Sequence, residues 1–126
     1  MLLKSVRGFT PTYGENCFIA ENATLIGDLV MGQGCSVWYQ AVVRGDVNSI
    51  RVGDFVNIQD GAVIHATYEK AATLIGNNVS IGHNAIVHGR LGIELFGSEG
   101  IISCSDSLTF CCSKYTRADC EHLCLQ

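Results

Sequence analysis

Apolar residues recur at every sixth position along the first 90 residues, and this period constrains the fold more than any other feature. Three runs of the repeat are separated by steps of nine and eleven residues. The apolar positions are Ile19, Leu25, Met31, Val37 and Val43; Val52, Ile58 and Ile64; and Ile75, Ile81 and Val87. Short repeats with occasional longer steps are typical of a solenoid that tolerates loops inserted at its corners.

A small or β-branched residue stands four places after many of these apolar positions. These residues are Ala23, Cys35, Ala41, Val56, Ala62, Val79 and Ala85. The pattern predicts a coil with three flat sides, one hexad to a side, in which the large residue fills the interior and the small one fits a tight corner. Coils stacked about 4.8 Å apart would bury a continuous ladder of like side chains. The predicted fold class is therefore all-β, a short parallel β-helix of hexapeptide repeats. A β-sandwich would instead show period-two alternation over longer strands.

Composition excludes several classes of function. The chain has 126 residues, enough for one domain, with 48% hydrophobic and 16% charged residues, so we expect a globular protein and not a disordered one. The net charge is −4 and the basic residues are scattered, so no basic face is expected for nucleic acid or an anionic membrane. No apolar stretch approaches the roughly 18 residues of a membrane span. The apolar run near the N-terminus is too short for the core of a signal peptide. These features predict a cytoplasmic protein.

The repeat extends to Ile93 and then fails, because Glu99 stands where the next apolar residue belongs. We therefore divide the chain into a repeat domain, 1–93, and an atypical C-terminal tail, 94–126, which holds five of the seven cysteines. The spacing of the tail sequence CEHLC matches no established zinc finger, and a disulfide framework is disfavoured without a secretory signal. Our hypothesis is that the tail is foreign to the repeat and arises from a frameshift or a gene truncation, or is disordered.

Three of the four histidines lie within 24 residues, and two of them occupy the same slot of their hexads. His65 follows interior Ile64 and His88 follows interior Val87, one lengthened coil further on, so the two should stack on adjacent rungs. His83 stands one slot later in its hexad and on a different side of the coil. A neighbouring subunit in a three-fold ring could supply it to the same ion. The spacing thus points to a metal at a subunit interface, with exposed rung histidines as the alternative.

Three segments together resemble a known family. They are GCSVWYQAVVRGD (34–46), VGDFVNIQDGAVIH (52–65) and IGNNVSIGHNAIVHG (75–89). They are similar to the γ-class carbonic anhydrases and their relatives, over roughly residues 8–90 or two-thirds of the chain. The Arg-Gly-Asp tripeptide, the Asn-x-Gln-Asp motif and the histidine spacing carry the resemblance. The hexads alone would not identify this family, because many acyltransferases share them.

The resemblance implies a left-handed coil and a homotrimer with a metal at each subunit interface. His65 and His88 of one subunit and His83 of its neighbour would be the ligands. The family metal is zinc, with iron or cobalt as alternatives, and three imidazoles leave an open position for water. The implied reaction is that of a lyase, the reversible hydration of carbon dioxide to bicarbonate by metal-bound hydroxide. Compared with the family, the chain looks truncated after residue 90.

The resemblance also implies roles for residues around the metal. Gln59 would orient the metal-bound water or the substrate, and Arg44 and Asp46 would form an ion pair that links subunits beside the site. Asp60 and Asn57 would belong to the supporting shell. Purely structural roles are the alternative: a simple bridge for Arg44 and Asp46, and for Asn57 an inward side chain that satisfies the backbone, which we prefer for that residue.

Two further functions fit the same solenoid. One is an acyltransferase or thioesterase acting on a coenzyme A substrate, which would need a catalytic histidine free of metal. The other is a non-catalytic trimeric assembly protein whose metal only joins subunits. The loop after His65 (residues 66–70) is short and contains Glu69 as its only carboxylate. A proton shuttle like that of fully active family members is therefore not expected, and the predicted activity is weak or absent.

Overall fold

The computed structural model describes residues 1–69, 72–88, 93–95 and 100–102, and within these ranges the chain is all β, without a helix. The thirteen strands are β1 Leu2–Lys4, β2 Thr12–Tyr13, β3 Phe18–Ile19, β4 Thr24–Met31, β5 Ser36–Val37, β6 Val42–Val52, β7 Asn57–Ile58, β8 Val63–His65, β9 Thr73–Ile75, β10 Val79–Ile81, β11 Ile86–His88, β12 Ile93–Leu95 and β13 Gly100–Ile102. A search of the described residues finds no helix long and apolar enough to cross a membrane.

The strands form a parallel β-solenoid with three sides. Side 1 consists of β1, the first halves of β4 and β6, β8 and β11. Side 2 consists of β2, the second halves of β4 and β6, β9 and β12. Side 3 is the separate five-stranded sheet of β3, β5, β7, β10 and β13. Because β4 and β6 turn the corner without ending, sides 1 and 2 form one sheet of eight strands.

The interior follows the hexad pattern. Leu25, Val43, Ile64 and Val87 stack on side 1; Met31, Val52 and Ile75 on side 2; and Ile19, Val37, Ile58 and Ile81 on side 3. All of them are buried except Ile19, which is partly buried against the same core. The seven small or β-branched residues of the pattern are also buried. The predicted interior is therefore confirmed.

Successive coils lengthen at one corner, between sides 1 and 2. The side 3 positions Ile19, Val37, Ile58 and Ile81 are in register although 18, 21 and 23 residues separate them. In the second coil, residues 46–49 oppose the single residue Asp28 of β4, which adds three residues and interrupts the ladder as a β-bulge. Gly27 lies at this point with φ of 72°, and a Cβ atom there would collide with the carbonyl oxygen of Gly45. The nine- and eleven-residue steps of the sequence therefore mark insertions at one corner.

The other two corners turn through residues with positive φ, one per coil. Asn16, Gly34, Phe55 and Asn78 occupy one corner, and Gln40, Gly61 and Asn84 the other. Side-chain amides and carboxylates brace these turns between coils: Asn22 accepts a hydrogen bond from the backbone N–H of Gln40, and Asp54 accepts one from that of Gln33. Asparagine tolerates this backbone region better than most residues, which explains why the corners do not need glycine in every coil.

Two strands lie at the end of the described chain. β12 pairs with β9 and β13 with β10, so both sheets gain a strand where the hexads have lost their phase. The domain limit at residue 93 stays a prediction. The proposed origin of the tail, and its cysteines Cys104, Cys111, Cys112, Cys120 and Cys124, lie outside the described residues.

Candidate metal centre

Three candidate site residues form one row on the outer surface of side 1. Arg44, His65 and His88 occupy the same register position on the adjacent strands β6, β8 and β11. The two imidazole rings face each other with centroids 5.1 Å apart and planes inclined by 56°. The stacking predicted from hexad position is confirmed.

Asp46 holds the arginine and one histidine of this row together. Its Oδ2 lies 2.6 Å from Nη1 of Arg44, and its Oδ1 lies 2.9 Å from Nε2 of His65, which requires a proton on that nitrogen. Burial raises the pKa of the Asp46 carboxyl, but the hydrogen bonds from His65 and Arg44 together outweigh burial and leave this pKa below its usual value. Asp46 is therefore a carboxylate at neutral pH, and it orients His65.

Two threonines that sequence reasoning missed support the histidines. Thr67 Oγ1 lies 3.4 Å from Nδ1 of His88. The hydroxyl of Thr73, which is fully buried, donates to the backbone carbonyl of His65 at 3.0 Å. Thr73 was detectable in principle, because it stands two residues before interior Ile75 and so on the inward face of its strand. No sequence signal identified Thr67.

The remaining candidates lie at a different corner, between sides 3 and 1. Nδ1 of His83 is 3.1 Å from Oδ2 of Asp60, and their side chains are 66% and 46% exposed. Gln59 precedes Asp60, is half-buried, and donates its backbone N–H to Ile81 of the next coil at 2.9 Å. The structure therefore divides the site residues into a first set, Arg44, Asp46, His65 and His88, and a second set, Gln59, Asp60 and His83.

The first set fits two ligands of a shared metal ion. An ion about 2.0–2.1 Å from one nitrogen of each of two imidazoles, at a tetrahedral angle, places the ring centres roughly 5 Å apart. The observed 5.1 Å between His65 and His88 agrees with that spacing. Each ring also has one nitrogen engaged by Asp46 or Thr67, the outer support common in metal-binding histidines. No group of three or more His, Cys, Asp or Glu side chains converges on a possible metal position within the described residues.

Asn57 differs from the expected inward orientation. It lies between the buried Val56 and Ile58 and therefore points outward from side 3. Its Oδ1 accepts hydrogen bonds from Ser36 at 2.7 Å and from Nε1 of Trp38 at 2.8 Å, so it bonds to side chains and not to the backbone. The preferred expectation for Asn57 was wrong, because successive residues of a strand alternate between the two faces of a sheet.

Comparison with known proteins gives consistent relatives. The chain is 46% identical over 92 residues, 69% of its length, to the protein named gamma carbonic anhydrase 3, mitochondrial, of Arabidopsis thaliana. It is 36% identical over 85 residues, 68% of its length, to the carbonic anhydrase of Geobacillus kaustophilus. The chain belongs to the γ-carbonic anhydrase-like family of hexapeptide-repeat proteins. It spans 36% and 46% of the lengths of these two relatives.

Solved structures place the γ-carbonic anhydrase-like chain among hexapeptide-repeat β-helices. A hexapeptide transferase family protein of Anaplasma phagocytophilum superposes with a TM-score of 0.64 at 44% identity. The superposition covers 69% of this chain and 50% of that structure. No family model matches the chain. The solenoid fold and the resemblance predicted from the sequence are thus confirmed, while the relatives' names include both carbonic anhydrase and transferase.

Proposed function

We propose that this chain is a subunit of a metal-dependent γ-class carbonic anhydrase that interconverts carbon dioxide and bicarbonate. The observation that carries the proposal is the pair of imidazoles on adjacent rungs, His65 and His88, with Asp46 fixing one of them. Arg44, His65 and His88 occupy the same register position on adjacent strands. This arrangement favours a ligand site over histidines that are merely exposed on their rungs. The names of the carbonic anhydrase relatives support the same reading.

The third ligand in this proposal is His83 of a neighbouring subunit. His83 is two-thirds exposed at another corner, and Asp60 holds its Nδ1 much as Asp46 holds His65. If three solenoids pack side by side, each first set meets the second set of the next subunit, and the contact repeats around the ring. Zinc suits three imidazoles best, and iron or cobalt would also accept them.

The side chains have distinct tasks in the proposed reaction. A metal ion held by these histidines would lower the pKa of water to about 7 and so would supply a nucleophile near neutral pH. Asp46 keeps His65 in one tautomer and orientation, and Arg44 keeps Asp46 ionised. Gln59, from the second set, orients the water or the carbon dioxide by hydrogen bonds. Glu69 remains the single carboxylate of the loop after His65, so proton removal is the step we expect to be slow.

An acyltransferase or thioesterase acting on a coenzyme A substrate is the second candidate. The transferase description of the Anaplasma phagocytophilum structure favours it. Such an enzyme needs a histidine that acts as a base without a metal, whereas His65 is engaged by Asp46 and faces a second imidazole. Binding of coenzyme A at micromolar concentration by metal-free protein, lost in His65→Ala, would favour the transferase over the anhydrase.

The test of the proposal is metal content per chain, measured by elemental analysis on tag-free protein. We expect about one metal ion per chain in the parent and none in His65→Ala, because removing a ligand destroys a three-imidazole site. Absence of metal from the parent would overturn the proposal.

Carbon dioxide hydration then separates an enzyme from an assembly protein. Gln59→Ala should lower the hydration rate at least tenfold while metal content and oligomeric state stay unchanged, since in this proposal the side chain of Gln59 orients the reactants and does not bind the ion. Equal rates for Gln59→Ala and the parent, both at the uncatalysed level, would leave the metal a purely structural role.

A further inference from the structure

A polar cleft opens at the corner between sides 1 and 2, on the side of Asp46 away from the histidines' own strands. Its volume is about 420 Å³, within the range of small-molecule sites. Its charged lining residues are Arg7, Arg51, Asp28 and Asp46, and Phe9 and Ser49 are among its other lining residues. None of the three candidate functions assigns a ligand to this cleft.

Arg51 presents unused donors to the cleft. Its Nη1 makes every contact described for this side chain: 2.8 Å to Oδ1 of Asp28, 2.9 Å to the carbonyl of Ile50 and 3.3 Å to that of Asp28. Within the described part of the chain, Nε and Nη2 have no partner. The guanidinium of Arg51 is thus held at Nη1, while its Nε–Nη2 edge is open. Such an edge is suited to bidentate binding of a planar oxyanion.

Arg7 adds a second guanidinium with no partner among the described residues. It lies in a tight turn, where φ is 55° at Arg7 and 83° at Gly8, and the isolated bridge between Val6 and Phe9 closes this turn. The turn thus holds Arg7 at the cleft and brings the ring of Phe9 to the same wall.

The two aspartates of the lining do not cancel this positive charge. Asp28 is paired with Arg51, and Asp46 is paired with Arg44 and hydrogen-bonded to His65. Counting the four lining residues with Arg44 leaves one net positive charge, that of Arg7, on a chain whose net charge is −4. The cleft is therefore a local site for a single negative charge on an otherwise acidic protein.

The floor of the cleft is the bulge, residues 46–49. These residues belong to neither of the ladders that β6 makes with β8 and β9. The bulge is nevertheless held in place, because Nδ2 of Asn48 donates to the carbonyl of Thr67 at 3.2 Å and Oδ1 of Asn48 accepts from the N–H of Ser49 at 2.8 Å. The Ser49 hydroxyl has no protein partner within the described residues. Rigid bulges with spare donors are common beside ligand sites.

We propose that this cleft binds a small, singly charged oxyanion of the carboxylate or bicarbonate class, gripped by Arg7 and the open edge of Arg51. Two guanidiniums and a hydroxyl match a planar anion with two or three oxygens, and Phe9 covers one face. The choice of bicarbonate as the natural ligand rests on the proposed function. Asp46 connects the two sites, because it lines the cleft and also contacts His65. Anion binding itself does not depend on a metal.

The test is a titration of the ¹⁵N-labelled full chain with sodium bicarbonate, and separately with sodium acetate, followed by amide shifts of Gly45, Asn48 and Ser49. Sodium chloride at matched ionic strength corrects for salt. We expect saturable shifts, with affinity about tenfold weaker in Arg7→Gln, since a lost charged hydrogen-bond donor has an effect of that size. Arg7→Lys should recover part of the loss, and Lys4→Gln, a charge-matched control on β1 outside the cleft, should bind like the parent.

The outcomes are distinguishable from those for the metal site. Binding that persists in the presence of a metal chelator assigns the anion to the cleft, whatever the metal content proves to be. Shifts that follow sodium chloride equally, or equal weakening in Lys4→Gln and Arg7→Gln, would overturn the proposal. Arg51→Lys keeps the pair with Asp28 but loses the fork, so unchanged binding there would remove Arg51 from the site.

Discussion

His65 and His88 are 23 residues apart in the chain, yet they lie side by side on adjacent strands with ring centroids 5.1 Å apart. This relationship exists because β8 and β11 carry interior Ile64 and Val87 in register, and the residue after each must point outward. The insertion after His65 changes the length of the coil without changing the register. The pairing of the two imidazoles thus follows from the packing of the core.

Mixing of subunits tests the proposed origin of the third ligand. His65→Ala and His83→Ala should each bind no metal alone, because each lacks one imidazole from every site. Co-refolding them in equal amounts should restore about one quarter of a metal per chain, since a quarter of the interfaces in a random three-fold ring pair an intact first set with an intact His83. The measurement is elemental analysis of the mixed trimer.

His122→Ala is the imidazole-matched control for this experiment, because His122 is outside the predicted ligand set. It should bind metal like the parent. Recovery of no metal in the mixture, from chains that do form mixed trimers, would contradict a site shared between subunits.

The core of side 1 gives a stability prediction with a matched control. Ile64 is fully buried beneath the histidine pair, whereas Ile86, on the next rung, is 39% exposed. Ile64→Ala should lower the free energy of unfolding by about 3 kcal/mol, because it removes buried methyl groups and leaves a cavity. Ile86→Ala should lower it by less than about 1 kcal/mol. Urea denaturation followed by circular dichroism measures both, and similar losses would argue against the assigned interior.

The fold was predictable because its physics is local and repeated. Each hexad indicates which residue faces inward, and the steps of nine and eleven residues predict loops inserted at corners; the structure places both insertions at the same corner. Asn57 shows the limit of this reasoning. Its neighbours Val56 and Ile58 are both buried, so alternation alone places Asn57 outside, and the expectation of an inward asparagine overlooked that alternation.

The site was predictable only where it depends on register. The row of His65 and His88 follows from hexad position, and the pair of Arg44 with Asp46 was expected from the resemblance, although the structure forms it within one chain. The bond of Asp46 to His65 was not expected, because it depends on how the chain runs into the bulge. Insertions have no repeat to constrain them. For the same reason the cleft, built from a turn at Arg7 and the bulge, had no signature in the sequence.

Thr73 should affect the proposed metal site through the backbone of His65. Its buried hydroxyl donates to the carbonyl of His65, so Thr73→Val, which keeps the shape, leaves that carbonyl without its partner. We expect a loss of about 1 kcal/mol in the free energy of unfolding and weaker metal binding. Thr24→Val, on half-exposed β4, is the control and should change neither quantity. Competition with a coloured chelator measures the affinity for metal. Unchanged metal affinity in Thr73→Val would show that the hydroxyl does not contribute to metal binding.

Gly27 and Gly8 differ in surroundings although both have positive φ, 72° and 83°. A Cβ atom at Gly27 would collide with the backbone of Gly45, whereas at Gly8 it meets nothing within 4 Å. Gly8→Ala should therefore lower the free energy of unfolding only by the strain of a positive φ at alanine, about 1–2 kcal/mol. Gly27→Ala should lower it by clearly more, because β4 and β6 must separate where the bulge begins. Equal losses, measured by thermal denaturation, would mean that the two strands are not in close contact there.

Cysteine reactivity reports whether the first two coils stay closed in solution. Burial raises the pKa of the Cys35 thiol, and its side chain is 1% exposed, whereas Cys17 one coil earlier is only partly buried. A raised pKa means less thiolate at pH 8, and the thiolate is the species that reacts. Iodoacetamide should therefore modify Cys17 at least tenfold faster than Cys35, as followed by peptide mass spectrometry. In urea the two rates should converge, because unfolding removes both the burial of Cys35 and the rise in the pKa of its thiol. Equal rates without urea would show that the coils open readily at this end of the solenoid.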